Sequence, residues 1–253
     1  MTLHCAFIGF GKSTTRYHLP YVLHRKDRWQ VAHIYRRRAK PEEQAPQYSH
    51  IHFTSDLDEV LNDPLVKLVV VCTHADSHFE YAKKALEAGK NVLVEKPFTP
   101  TLEEAKTLFA LANSKGLTVT PYQNRRFDSC FLTTKKVIES GKLGELVEIE
   151  SHFDNYRPLA ETNPGGPQNG EFYGLGVHTL DQIISLFGRP DHVAYDLRSL
   201  RNKANPDDTF EAQLFYGDLK AIVKTSHLVQ IDYPKFIVHG HKGSFVKYGI
   251  DQQ

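Results

Sequence analysis

Short apolar runs separated by helical periodicity organise the first half of the chain. Cys5-Ala6-Phe7-Ile8 reads as a buried strand and Gln30-Val31-Ala32-His33-Ile34-Tyr35 as a second. Leu68-Val69-Val70-Val71-Cys72, Asn91-Val92-Leu93-Val94 and Leu117-Thr118-Val119-Thr120 are three more. Between them, Gly9-Phe10-Gly11 opens a helix interrupted by Pro20, and Ser55-Asp56-Leu57-Asp58 is a capping-box-like start for a short helix ending near Pro64. Residues 76–88 read as a helix stopped at Gly89. Thr101-Leu102-Glu103-Glu104 caps another, with Leu102, Ala105, Leu108, Phe109 and Ala112 as its apolar face and Gly116 at its end. Buried strands alternating with helices predict an α/β domain with a doubly wound parallel sheet.

From about Pro121 the pattern changes. A helix over 128–140 stops at Gly141, and residues 146–153 alternate apolar and polar side chains. A loop rich in Pro, Gly and Asn covers 157–170, and 172–187 reads as one helix broken by Gly188-Arg189-Pro190. The remainder predicts strands turning at Asn205-Pro206-Asp207, Gly217-Asp218 and His241-Lys242-Gly243. Period-two patterns joined by tight turns predict a mostly antiparallel sheet in an α+β domain. The expected boundaries are 1–121 and 122–253.

The 253 residues suffice for two cores, and 40% hydrophobic with 24% charged residues is the balance of a globular chain. A net charge of +1 offers no footprint for nucleic acid or an anionic membrane. Apolar runs are far too short to span a bilayer, and the first strand begins too close to Met1 for a signal peptide. The cytoplasm is therefore the expected location. Cys5, Cys72 and Cys130 form no metal-spacing pair and no disulfide framework. His50/His52 and His239/His241 lack supporting carboxylate or cysteine ligands, so no metal is expected.

Candidate chemistry gathers at strand ends. Gly9-Phe10-Gly11-Lys12-Ser13-Thr14 follows a strand and opens a helix, the context of a dinucleotide turn in which glycines admit a pyrophosphate to the helix amino end. Thr14 stands where that fingerprint has Gly or Ala. A turn without ligand is one rival reading. A P-loop is another, but it needs a glycine where Ala6 stands. After the second strand comes Tyr35-Arg36-Arg37-Arg38, with no carboxylate to bind a ribose diol. Arg36 and Arg37 are suited to the extra phosphate of NADP, which makes NADP the expected cofactor and NAD the alternative. Glu95-Lys96-Pro97 delivers a lysine to the carboxyl end of a strand, where open sheets bind ligands.

With these motifs placed, the chain resembles the glucose–fructose oxidoreductase / inositol dehydrogenase / MocA family of NAD(P)-dependent oxidoreductases. The resemblance is carried by Gly9-Phe10-Gly11, Cys72-Thr73-His74-Ala75-Asp76-Ser77-His78, Glu95-Lys96-Pro97, Gln123-Asn124-Arg125-Arg126-Phe127-Asp128 and Gly176-Val177-His178-Thr179-Leu180-Asp181. It implies a Rossmann domain followed by a substrate and oligomerisation domain, with a sugar, polyol or related molecule bound between them. It also implies that Lys96 and His178 approach the reacting hydroxyl, that Thr73 and its neighbours His74 and His78 line the nicotinamide site, and that Asn124 and Arg126 lie near cofactor or substrate. A homo-oligomer, such as a dimer, is implied in the same way.

Two departures stand out. The family's Asp-x-x-x-His element has Gly174 in place of its aspartate, with Glu171 or Asp181 as candidate substitutes, and His74 stands where a proline is usual. The first departure leaves open a different substrate, a slower reaction or none. A dinucleotide-binding metabolite sensor without turnover is the alternative to an enzyme. Family members also continue beyond the equivalent of Ser244-Phe245-Val246-Lys247-Tyr248, so the second domain is expected to be incomplete here.

Overall fold

The computed structural model describes residues 2–249, which divide into two compact units that meet between Tyr122 and Gln123. Unit 1 holds six parallel strands: β1 (Leu3–Ile8), β2 (Trp29–Tyr35), β3 (His52–Thr54), β4 (Val66–Val71), β5 (Asn91–Val94) and β6 (Val119–Pro121). Their order is β3-β2-β1-β4-β5-β6. The chain leaves β1 in one direction and returns past it to β4, so the strand order reverses between β1 and β4. Ligands of doubly wound sheets bind outside the carboxyl ends at such a point.

Both faces of this sheet are apolar, as a parallel sheet requires. Ala6, Ile8, Val69, Val71, Val92 and Val94 pack on one side with Ala82, Ala85 and Leu86 of α3 (His78–Glu87) and Leu108 and Ala112 of α4 (Leu102–Ser114). Cys5, Phe7, Val31, Ile34 and Val70 pack on the other with Leu19 of α1 (Leu19–His24). The expected face of α4 is narrower than its sequence suggests: Leu102 and Phe109 are exposed, although Phe109 meets Phe98 with ring centroids 5.4 Å apart. Pro20 does not interrupt α1 but lies in its first turn, where a missing N–H costs little. The short helix α2 (Leu57–Asn62) is capped by Asp56, whose carboxylate accepts the Asp58 N–H at 2.9 Å, and not by a Ser55 capping box. The predicted box at Thr101 and Glu104 is present.

Unit 2 holds α5 (Ser129–Glu139), β7 (Leu146–His152), α6 (Val177–Phe187), β8 (His192–Arg198), β9 (Thr209–Tyr216), β10 (Leu219–Ser226), β11 (Phe236–Gly240) and β12 (Gly243–Lys247). The sheet order is β12-β11-β7-β10-β9-β8, and only β7 and β10 run parallel among its neighbours. The expected turns at Gly217-Asp218 and His241-Lys242 join hairpins, setting Tyr216 opposite Leu219 and Gly240 opposite Gly243. Ile149, Phe210, Ala212, Leu214, Ala221, Val223 and Val238 make the face covered by α5 and α6. Strand β8 is exposed along its whole length, Val193, Tyr195 and Leu197 included.

Lys235, next to β11, is almost completely buried, with Nζ 5.0 Å from both the Phe153 and Phe236 ring centroids. Desolvation lowers it from 10.5 to about 8, so the unfolded chain binds more protons there between those values. Stability should therefore rise as pH rises from about 8 towards 10.5, by about 3 kcal/mol from this residue. Denaturant titrations across that range should show the rise, and Lys235→Met should flatten it. An equal slope in both proteins would exclude Lys235 as its source.

Candidate active site in the nucleotide cleft

The carboxyl ends of β1, β2 and β4 line a cleft of about 820 Å³ bounded by Gly9–Ser13, Tyr35–Arg38, Lys40, Cys72–His74, Asp76, Ser77 and Tyr81. Gly9 has φ +108, and a Cβ there would lie 2.5 Å from the Cys72 carbonyl oxygen. Only glycine lets the turn approach β4 so closely. A Cβ on Gly11 would meet nothing within 4 Å, which leaves the turn open on its cleft side. This cradle fits a dinucleotide pyrophosphate, with backbone N–H groups available at a helix start.

Thr14, the irregular member of the fingerprint, has a structural role: it is fully buried and its hydroxyl donates to the Gly9 carbonyl at 2.8 Å. It begins a π-helical turn, Thr14–His18. Phe10 is buried against Tyr48 and Phe53, and Lys40 reaches its carbonyl at 2.5 Å. Lys12 is exposed on the rim. The Ser13 hydroxyl donates to Glu95, an interaction no local sequence signal announces.

The three arginines after β2 differ. Arg36 is bidentate on Glu43, at 2.7 and 3.0 Å, and both are largely buried. Burial would raise the Glu43 carboxyl, but Arg36 and the Lys40 N–H outweigh it and hold the group below the ordinary carboxylate range. Arg37 and Arg38 are exposed and line the cleft. Sequence reasoning paired Arg36 with Arg37, yet Arg36 is already matched by a carboxylate seven residues on. Lys40 and Tyr81 also line the cleft and were missed. Tyr81 could have been found as the residue one helical turn beyond His78.

Thr73, His74 and His78 follow β4. Ser77 bonds the Thr73 hydroxyl at 2.9 Å, and His74 is exposed in the cleft. His78 begins α3, as expected of a helix-starting residue, and is buried with its ring nitrogens 2.8 Å from the Pro97 carbonyl and 3.1 Å from the Thr73 carbonyl. It thereby ties the β4 turn to the segment carrying Lys96.

Glu95 is buried beneath that segment. His18 Nε2 lies 2.9 Å from its Oε1, while Oε2 accepts the Lys96 backbone N–H at 3.1 Å. Burial pushes the Glu95 carboxyl up, but the hydrogen bonds from His18 and Ser13 prevail and its pKa ends below the ordinary value. The residue is thus an ionised anchor for the backbone of Lys96, whose side chain is partly buried.

In unit 2, His178 is buried in the first turn of α6. Asn124 opens a 3₁₀ turn, Asn124–Phe127, and Arg126 in that turn is bidentate on Asp181, with both bonds at 2.7 Å. Asp181 is thereby committed to Arg126. Glu171 takes a different place: its Oε2 lies 3.2 Å from where a Cβ on Gly174 would stand, and its Oε1 lies 2.9 Å from His227 Nε2. A carboxylate is thus present over Gly174, although the chain carries none at that position.

Two family models match the chain: the oxidoreductase family NAD-binding Rossmann fold over residues 3–123, and the oxidoreductase family C-terminal alpha/beta domain over residues 135–253. The chain is 88% identical over 253 residues to Uncharacterized oxidoreductase YhhX of Escherichia coli (strain K12), covering all of this chain and 73% of that protein. It is 36% identical over 255 residues to scyllo-inositol 2-dehydrogenase (NADP(+)) IolW of Bacillus subtilis (strain 168), covering all of this chain and 70% of that one. A crystal structure of an oxidoreductase from Bacillus cereus matches with TM-score 0.95 at 51% identity, over 99% of this chain and 72% of that one. Among the described residues no helix is long and apolar enough to cross a membrane. The parallel Rossmann unit, the mostly antiparallel second unit and these matches together place the chain in the GFO/IDH/MocA oxidoreductase family, as an oxidoreductase with an NAD-binding Rossmann domain.

Proposed function

We propose that the protein is an NADP-preferring oxidoreductase acting on a hydroxyl or carbonyl of a polyol or sugar, with unit 1 as cofactor domain and unit 2 as substrate domain. The observation that carries the cofactor preference is the exposed pair Arg37 and Arg38 lining the cleft after β2, where no carboxylate occupies the position of a ribose-diol acceptor. Arg36 shapes that loop through Glu43, and the phosphate contact falls to the other two. The similarity to IolW, named as an NADP(+)-dependent scyllo-inositol 2-dehydrogenase, supports both the cofactor and the polyol class.

Bound in the cleft, the dinucleotide supplies hydride transfer, and the protein supplies position and charge. Gly9, Gly11, Lys12 and Ser13 would hold the pyrophosphate, Thr73 and His74 would border the nicotinamide, and Asn124 and Arg126 would border the substrate; His78, buried on the Pro97 and Thr73 carbonyls and absent from the cleft lining, would support that segment from behind and not touch the cofactor. Lys96 would exchange a proton with the substrate oxygen as the C–H bond breaks or forms, and His178 is the candidate acid–base residue of unit 2. Glu95 would hold the Lys96 backbone in place.

Arg37→Ala and Arg38→Ala should each weaken NADPH binding by about 1.5–3 kcal/mol, roughly 10- to 150-fold, and leave NADH binding unchanged. Fluorescence titration with both cofactors measures this. A parallel loss for NADH, or no loss for NADPH, would show that the pair does not read the phosphate.

A further inference from the structure

Three buried side chains meet beneath the nucleotide turn. His18 ends the π turn after β1, Cys72 follows β4 and Glu95 follows β5, so they gather at the carboxyl ends of three adjacent strands. Their exposures are 5%, 6% and 7%. One imidazole nitrogen, the thiol sulfur and one carboxylate oxygen lie within 4.8 Å of one another. The Ser13 hydroxyl bonds the same Glu95 oxygen that faces His18, adding a further oxygen at the same place. We propose that His18, Cys72 and Glu95 form a binding site for a divalent cation of the zinc class, reached from the nucleotide cleft.

The donor set supports this choice. Nitrogen, sulfur and carboxylate oxygen together suit zinc, whereas calcium and magnesium require oxygen ligands. Charge points the same way: a thiolate, a carboxylate and M²⁺ sum to zero. On binding, the S–H bond of Cys72 breaks, its proton passes to water and an S–M bond forms. His18 binds through a lone pair on Nε2; a proton carried on that nitrogen beforehand passes to water, and where Nδ1 was bare it takes one up. Access is available because Cys72 and Ser13 both line the cleft.

The site touches both halves of the cofactor machinery. Glu95 Oε2 holds the Lys96 N–H, and Ser13 belongs to the glycine turn. An ion on Oε1 would compete with the Ser13 hydroxyl for its acceptor and brace the carboxylate beneath Lys96. Any effect of the ion on turnover rests on the functional reading of Lys96; binding of the ion does not.

Titrating Co²⁺ into the full chain tests the site through thiolate-to-cobalt charge-transfer absorption and proton release in weak buffer. The expected result is a saturable band at one ion per chain, displaced by Zn²⁺, with at least one proton released. The band should vanish in Cys72→Ala, persist in Cys5→Ala, and require at least about tenfold more metal in His18→Asn and Glu95→Gln. No band, or a band that survives Cys72→Ala, overturns the proposal. Should Cys72→Ala fail to fold, ¹¹³Cd NMR of the unaltered chain decides: a resonance shifted by sulfur ligation supports the site, and its absence overturns it. None of these readouts uses turnover, so their failure leaves the oxidoreductase reading untouched, and failure to find a substrate leaves them standing.

Discussion

Lys96→Ala is expected to lower kcat for the proposed polyol or sugar substrate by about 100- to 10,000-fold, the range associated with one positioned acid–base group. Cofactor affinity should change little, because the turn proposed to hold the pyrophosphate runs from Gly9 to Ser13 and does not include the lysine side chain. An ordinary lysine, with pKa about 10.4, is a poor base near neutral pH. Proton exchange at near-neutral pH therefore requires surroundings that favour the neutral amine in the loaded enzyme. Lys96→Arg provides the sharper comparison: guanidinium keeps the positive charge and the donors but cannot give up its proton. If Lys96 exchanges a proton, arginine should be nearly as inactive as alanine. If it only orients a hydroxyl, arginine should recover much of the rate. Activity of Lys96→Ala within about tenfold of the unaltered protein would remove Lys96 from the mechanism. A protein that binds NADPH but turns over no polyol or keto-sugar in a broad panel would instead direct the search to another substrate class.

The second large effect falls on the turn itself. Gly9→Ala places a methyl group 2.5 Å from the Cys72 carbonyl oxygen and 2.9 Å from its carbon, on a backbone with φ +108. Neither atom is the tip of a flexible side chain, so β4 or the turn has to move. Backbone strain and overpacking together should cost about 3 kcal/mol or more, read as a lower denaturant midpoint at unchanged slope. Cofactor binding should be lost as well. Gly11→Ala separates the two effects, since its Cβ would meet nothing within 4 Å. Stability should hold in that variant while NADPH affinity falls, because the methyl group occupies space left for the ligand. Equal destabilisation by both substitutions would contradict the assignment of Gly9 to packing and Gly11 to ligand approach.

Much of this architecture was legible in local pattern. The apolar runs at Cys5–Ile8, Leu68–Cys72 and Asn91–Val94 coincide with central strands because a strand buried on both faces needs unbroken apolar residues. β3 escaped notice: three residues, His52–Thr54, are too few for any periodicity, and the strand exists because β2 offers it a partner. On α4, the sequence signalled Leu102 and Phe109 as core, yet the neighbouring elements cover only the Leu108 and Ala112 side. Thr14 looked like a defect in a glycine motif, and its hydroxyl instead satisfies the Gly9 carbonyl.

The site divides along the same line. The sequence by itself determined the strand–turn–helix units, the glycines of the nucleotide turn and the placement of Lys96 directly after a strand, since these depend on backbone sterics and hydrogen bonding within a few residues. Tertiary structure alone decided which charges are matched: Arg36 by Glu43, Arg126 by Asp181, and Glu171 lying over Gly174. It also brought His18, Cys72 and Glu95 within 4.8 Å across three strands. Such pairings depend on strand order and on where a buried side chain finds a partner when water is excluded, and spacing along the chain carries no record of either.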